Sequence, residues 1–308
     1  MERAQTIDGK GLKITGKFLK LARLADEYCV AMGEPEEFIK QMRRSGVKAD
    51  AFTFVQGLHE EAPRFAFPHQ ERDSMAVLRV TTYDHWLNKQ INFKPRNKLR
   101  KSQKAGVETK IVEFNDDLVR GIMEVYNESP IRQGKANWHY GKDFDTVKRE
   151  HATFLELSEF IGAYYKGDLI GFAKLIHSPE YSILINIVAK ISERDKAPTN
   201  ALLAKAIECC AARKIPLLNF GIWGRRGLND LKVANGFERF EIPRYYVPLT
   251  LKGRAALRLK LHRPLKQRMP EKLIVFAADM RTKWNEFRHR SSIPKAGTVA
   301  LVREQSEA

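Results

Sequence analysis

The chain has 308 residues, 54 Lys and Arg against 37 Asp and Glu, a net charge of +17 and 43% hydrophobic residues, enough for about two domains with a substantial core. Its longest apolar runs, 182–189 and 273–278, fall far short of the roughly 20 residues a bilayer-spanning helix needs, and the polar N-terminus has no signal-like core. The expected location is therefore cytoplasmic. Cys29, Cys209 and Cys210 make neither a disulfide framework nor a metal-binding spacing, and no His/Cys/Asp/Glu cluster has ligand spacing, so no metal is expected.

The excess charge is concentrated. Residues 89–110 hold eight Lys or Arg against one Glu, and residues 251–290 hold twelve against three acids. The remainder is nearly neutral, so the excess reads as two electrostatic surfaces rather than general solubility.

In chain order, residues 1–12 read as a frayed terminus and 17–32 as a strand, although a helical face also fits. Pro35, Glu36 and Glu37 open a helix running to Arg44. A strand over 49–56, a loop over 57–74 and a strand starting at 74 complete a partial α/β lobe, residues 1–80. Residues 83–107 read as a strongly basic helical segment, with Pro95 at a break or new start. A strand over 108–114 and an amphipathic helix over 115–130 follow. Arg132, Gln133, Asn137, Trp138, His139, Tyr140 and Lys142 then crowd one long loop ahead of a helix over 146–158.

The stretch 160–221 is the most legible. Two apolar runs around Lys166-Gly167-Asp168 predict a hairpin, and SILINIVA (182–189) reads as a strand buried on both faces. The polar loop 192–200, the helix formers of 201–213 and the apolar run 217–223 make a strand, crossover helix and parallel strand. Phosphates and developing oxyanions bind at the N-terminus of such a helix, which singles out Lys196, Thr199, Asn200 and Ala201 as donor-binding residues. A short helix capped by Asn235-Gly236 and a last strand over 242–251 end this domain, residues 81–250; the prolines suggest an edge strand. Residues 251–308 are a basic helical tail. Its leucines, 257, 259, 261 and 265, alternate with basic residues as in an interfacial helix on anionic lipid, which suggests peripheral contact at the inner face of the membrane.

The element order from 80 to 250 resembles the GNAT acyltransferase fold, and more closely its FemAB-like branch of aminoacyl transferases and polysaccharide-associated proteins. The residues that carry the resemblance are RNKLRKSQKAGVETKIVEF (96–114), GAYYKGDLIGFAKLI (162–176), ALLAKAIECCAARKIPLLNFG (201–221) and LNDLKVANGF (228–237), where that branch tends to show a lysine and a Gly-Phe. It implies a mixed α/β sheet and transfer of an activated acyl group, from acyl-CoA or aminoacyl-tRNA, to an amine or hydroxyl on an anionic or sugar-linked cell-envelope acceptor. The alternative is a non-catalytic module of the same fold that binds tRNA, an anionic glycolipid or a protein. One departure stands out: acetyl-CoA enzymes of this fold use a Q/R-x-x-G-x-G/A loop at the crossover helix, whereas RDKAPTNA (194–201) has no glycine.

Acyl transfer needs a neutral amine, a carbonyl held against it, donors for the oxyanion and an acid for the leaving group. Asn186, Tyr164 and Tyr245 are the candidates for this chemistry, with His139 and His177 as further bases. Arg132, Gln133, Trp138, His139, Tyr140, Lys142 and Trp223 are the candidates for holding substrate.

Overall fold

The computed structural model describes residues 5–29, 32–58, 60–132, 134–224, 228–263 and 280. In chain order these form β1 (Gln5–Ile7), β2 (Lys10–Thr15), β3 (Leu21–Leu24), α1 (Pro35–Arg44), β4 (Ala51–Val55), β5 (His69–Arg79), α2 (Tyr83–His85) and α3 (Phe93–Lys104). Next come β6 (Glu108–Val112), α4 (Asp116–Asn127), β7 (Ile131–Arg132), β8 (Lys135–Ala136), α5 (Phe144–His151), β9 (Ser158–Tyr165) and β10 (Asp168–His177). The last are β11 (Ser182–Ala189), α6 (Pro198–Ala212), β12 (Leu217–Ile222), α7 (Leu228–Ala234), β13 (Glu238–Pro248) and α8 (Leu251–Arg258). No helix among the described residues is long and apolar enough to cross a membrane.

The described residues fall into two compact units, one of 5–76 with 239–263, the other of 77–238. In the first, the strand order is β1-β2-β3-β4-β13, with β5 beyond β13. The last strand is thus an interior one, not the edge strand expected. Of its two prolines, Pro243 lies just before the first ladder pair with β4, Arg244↔Val55, and Pro248 forms the last pair, opposite Ala51, so both stand at the ends of that ladder. Phe38, Ile39 and Met42 of α1 pack on Phe52, Phe54 and Tyr245. Gly253 of α8 has no room for a Cβ, which would overlap the Asp50 carbonyl, and Leu257 is buried beside Ala51 and Tyr246. The start of the tail therefore packs back on this unit; Leu265 lies outside the described residues.

This unit is pinned by a buried arginine. Arg244 donates to both Glu27 oxygens (2.9 and 3.1 Å), to Asp73 (2.8 Å) and to Thr53 (3.0 Å). The two carboxylates hold its guanidinium charged against the cost of burial.

In the second unit the order is β12-β11-β10-β9-β6, antiparallel except for the parallel pair β11–β12. Phe160 and Phe172 face α4 and Val147 of α5. The alternate position Glu159 bonds Arg213 at the end of α6, which puts α6 on the other face. Asn115 and Asp143 cap α4 and α5, accepting from Leu118 N (2.9 Å) and Thr146 N (2.8 Å). Gly121 lets α4 sit directly on Leu169, and Gly171 lets β10 approach Ala189 of β11.

Replacing Arg244 by Leu strands two carboxylates in the first unit. Urea unfolding is expected to show a loss of about 3–5 kcal/mol, largely recovered when Glu27→Gln and Asp73→Asn are added.

Candidate functional site

The site begins with a pairing that stops early. β11 and β12 are bonded at only two positions, Ser182↔Leu218 and Ile183↔Asn219, although the strands have eight and six residues. On its other side β11 stays paired with β10, but the register jumps: Lys174 faces Asn186 and Leu175 faces Leu184. Ile185 is the extra residue of a β-bulge and has no ladder partner there. Bulge and divergence together expose what the apolar pattern marked as doubly buried. Ser182, Ile183 and Leu184 are buried, whereas Ile185 is 43% exposed and Asn186, Ile187 and Val188 are half-buried. A parallel strand with its outer backbone uncovered is a place where a ligand carbonyl can accept an N–H.

The start of α6 adds donors. Ala197, in the left-handed region (φ 54°), offers no side-chain cap, and Pro198 takes the first turn. Asn200 is 8% exposed and its Nδ2 has no partner among the described residues. Asn219 of β12, 1% exposed, is likewise left with a free Nδ2, its Oδ1 accepting from Gly221 N (2.8 Å). Buried amide donors without acceptors cost free energy unless a water or ligand supplies one.

A third element is Lys232 of α7. It is 2% exposed, donates to the Ile222 carbonyl at the end of β12 (2.8 Å) and lies over the Phe220 ring. Burial pulls its ammonium down to about 8. Sequence reading noted the lysine of LNDLKVANGF but gave it no role. In so short a helix it looks like a surface cation; only the buried face it shares with Asn235 marks it.

The expected site residues disperse. Asn186 lies in the exposed part of β11, opposite Lys174 and on the α4–α5 face. Tyr164 is two strands away and four ladder positions further on, its ring beneath Lys110 Nζ (4.5 Å). It lines a shallow groove of about 550 Å³ between β6, α4 and the β9–β10 turn, on the β9–β6 side of β10. Tyr245 belongs to the first unit, fully buried, its hydroxyl donating to Gln56 (2.6 Å) and accepting from the Arg64 and Phe65 amides. Trp223 is half-buried just past β12. Lys196 is paired with Glu193 (2.9 Å) and Asp195 (3.4 Å) and covers the Tyr165 ring. Thr199 is half-buried and Ala201 buried in the first turn of α6.

The loop 131–142 contains the small hairpin β7–β8, and Gln133 lies outside the described residues. Arg132 donates to the carbonyls of Ala189 and Val125, while Glu128 accepts from Ile191 N, Ser192 N (2.9 Å) and Ser192 Oγ (2.6 Å). Arg132 thus works as a clasp between α4 and the end of β11. His139 is sandwiched between Trp138 and Tyr126 at centroid distances of 3.7 and 3.8 Å, and Tyr126 bonds His151 Nε2 at 3.0 Å. Lys142 bridges to Glu150 (2.6 Å) and caps the Trp138 ring at 3.9 Å, leaving Trp138 73% and Tyr140 49% exposed. His177 is bonded to Ser182 Oγ (2.7 Å) and lies 3.5 Å from Glu159, at the opposite end of β11 from the divergence.

No family model and no curated protein matches this chain. Solved structures do. FemX superimposes with a TM-score of 0.54 at 11% identity, over 78% of this chain and 86% of that one. L-PGS from Bacillus licheniformis gives 0.52 at 12% identity, over 82% and 86%. This chain has the GNAT fold. The C-terminal domain described as a lysylphosphatidylglycerol synthetase from Agrobacterium fabrum gives 0.53 at 12%, over 81% and 83%.

Burial, reinforced by nearby cations, depresses His139 and His151 from 6.5 to about 4. Between those values the unfolded chain takes up protons that the folded one refuses, so stability is complete above 6.5 and falls as the pH drops towards 4. The slope is at most about 1.4 kcal/mol per pH unit for each imidazole. Urea titrations across this window are expected to show the decline, and His151→Gln to make it shallower.

Proposed function

We propose that the second unit is an acyl or aminoacyl transferase acting in the gap between β11 and β12. It would move an activated acyl group onto an amine or hydroxyl of a cell-envelope or polysaccharide-linked acceptor. The observation that carries this reading is the pairing of β11 with β12 at two positions only, which leaves strand 185–188 uncovered, while a buried lysine with no carboxylate partner among the described residues sits on the carbonyl at the end of β12. The fold is shared with FemX and with the C-terminal domain described as a lysylphosphatidylglycerol synthetase, which supports a group-transfer reading.

The chemistry assigned to these residues is as follows. The donor carbonyl lies along the outer edge of β11, where N–H groups past the Ile185 bulge stabilise the oxygen as it becomes an oxyanion. The acceptor amine or hydroxyl attacks the carbonyl carbon and gives up a proton, the carbon–oxygen bond to the leaving group breaks as a proton reaches that oxygen, and the proton lost by the nucleophile replaces the one delivered. Lys232, held near 8, serves as the charge and proton donor on that side, exchanging its bond to Ile222 for one to the reacting group. Asn186 orients the carbonyl, and Tyr140, 49% exposed, offers a flat ring to the acceptor.

An aminoacyl ester fits the donor side better than acyl-CoA. Asn200 provides one neutral donor at the start of α6, but Pro198 removes an N–H and no glycine gives a pyrophosphate close access to the backbone. Glu193 and Asp195 occupy the lysine that could have met it.

Two measurements test this. With a pool of radiolabelled aminoacyl-tRNA and a crude envelope-precursor fraction, the protein is expected to move label into acceptor. Lys232→Met, which fills the same volume, is expected to lower kcat by about 100-fold with little change in melting temperature. Absence of turnover with every donor tried, acyl-CoA included, would favour the non-catalytic module. Calorimetry with acetyl-CoA is expected to show binding no tighter than about 1 mM. Micromolar binding lost in Asn200→Ala would reverse the choice of donor.

A further inference from the structure

We infer that α3 is a docking surface for an anionic lipid bilayer, a role that holds whether or not the gap between β11 and β12 is catalytic. The helix FKPRNKLRKSQK carries six basic residues and no acid. Its cations stand at like-charge spacings, Lys94–Lys98, Arg96–Arg100 and Arg100–Lys104 four apart and Lys98–Lys101–Lys104 three apart, each costing a few tenths of a kcal/mol in an isolated helix. Lys94, Arg96 and Lys98 also fall in the N-terminal half, where the helix dipole disfavours positive charge. A face kept only for solubility would mix signs and avoid both costs.

The helix is rigidly mounted. Trp86, 1% exposed in the π-helical turn Trp86–Gln90 before it, donates Nε1 to Asn235 O (2.9 Å). Asn92 N donates to Ala234 O (2.8 Å), and Arg96 turns inward to the carbonyls of Asn88 and Ile91. Leu99 and Ser102 are buried beneath, leaving Lys94, Lys98, Arg100, Lys101 and Lys104 exposed, none in an ion pair with another described residue.

An apolar tip decides the kind of partner. Phe93 opens the helix at 72% exposure, and the Asn92–Ala234 bond brings it beside the end of α7, where Val233 is 50% exposed. Apolar side chains next to a stripe of cations match a bilayer surface, which takes apolar groups below its headgroups and attracts lysines with its charge. A nucleic acid fits less well. With Arg96 spent internally only Arg100 offers a free guanidinium fork, and no aromatic residue is interleaved among the cations for bases to stack on.

The test is flotation of the full chain with phosphatidylcholine vesicles, with and without phosphatidylglycerol, at low and high salt. Binding is expected only with the anionic lipid, weakening as salt rises. Lys94→Glu/Lys98→Glu/Lys101→Glu is expected to lower the partition coefficient by about 100-fold, and Phe93→Ser by several-fold. Arg254→Glu/Arg258→Glu in α8 is expected to change it less than the α3 triple variant. Unchanged partitioning of both α3 variants overturns the proposal. So does a triple variant that loses binding to a poly(U) oligonucleotide while keeping the lipid. If the triple variant melts early, Phe93→Ser alone decides: a several-fold loss supports bilayer docking and none contradicts it.

Discussion

Two parallel strands that bond at two positions and then separate impose the main demands on the second unit. Each strand past the separation presents backbone groups that a continuous sheet would satisfy. On β11 the bulge at Ile185 keeps β10 in register while the other side opens. The clasp of Arg132 on Ala189 O and Glu128 on the Ile191 and Ser192 amides then fixes where β11 ends. Without that clasp the loop from β11 to α6 would set its own geometry, and the first turn of α6 would have no defined position relative to the strand.

The buried cations show which groups are structural and which are free to act. Arg244 meets two carboxylates and Thr53; Lys174 meets the carbonyls of His151 (2.9 Å) and Thr153 (2.6 Å) and the Thr153 hydroxyl. Both are satisfied in place, and moving them would strand several acceptors. Lys232 has one carbonyl, a ring beneath it and a depressed affinity for its proton. Moving it would leave one carbonyl to satisfy rather than several acceptors. The same contrast separates Tyr245, whose hydroxyl is fully used, from Asn186 on the uncovered strand.

Much of this fold could be read from local pattern. The hairpin at Lys166–Asp168, the proline-led helices and the Asn235-Gly236 stop are encoded by residues within a few positions of each other, and they formed where the pattern put them. What the pattern could not carry is pairing between distant segments. SILINIVA has the composition of a doubly buried strand, and nothing in it says that its neighbour leaves after Ile183. Tyr245 and Arg132 were drawn into the site by chemistry alone, yet each is committed to partners fixed by the tertiary fold. Lys232 escaped because a lysine in a polar seven-residue helix carries no periodic signal of burial.

Site-resolved amide hydrogen exchange on the free protein tests the central claim, that β11 is uncovered past Ile183, most directly. In 185–188 the amides that point away from β10 are expected to exchange orders of magnitude faster than those of Ile183 and Leu184, and to slow when an aminoacyl donor binds. Uniform protection from Ser182 to Ala189, matching an interior strand paired along both edges, would contradict it.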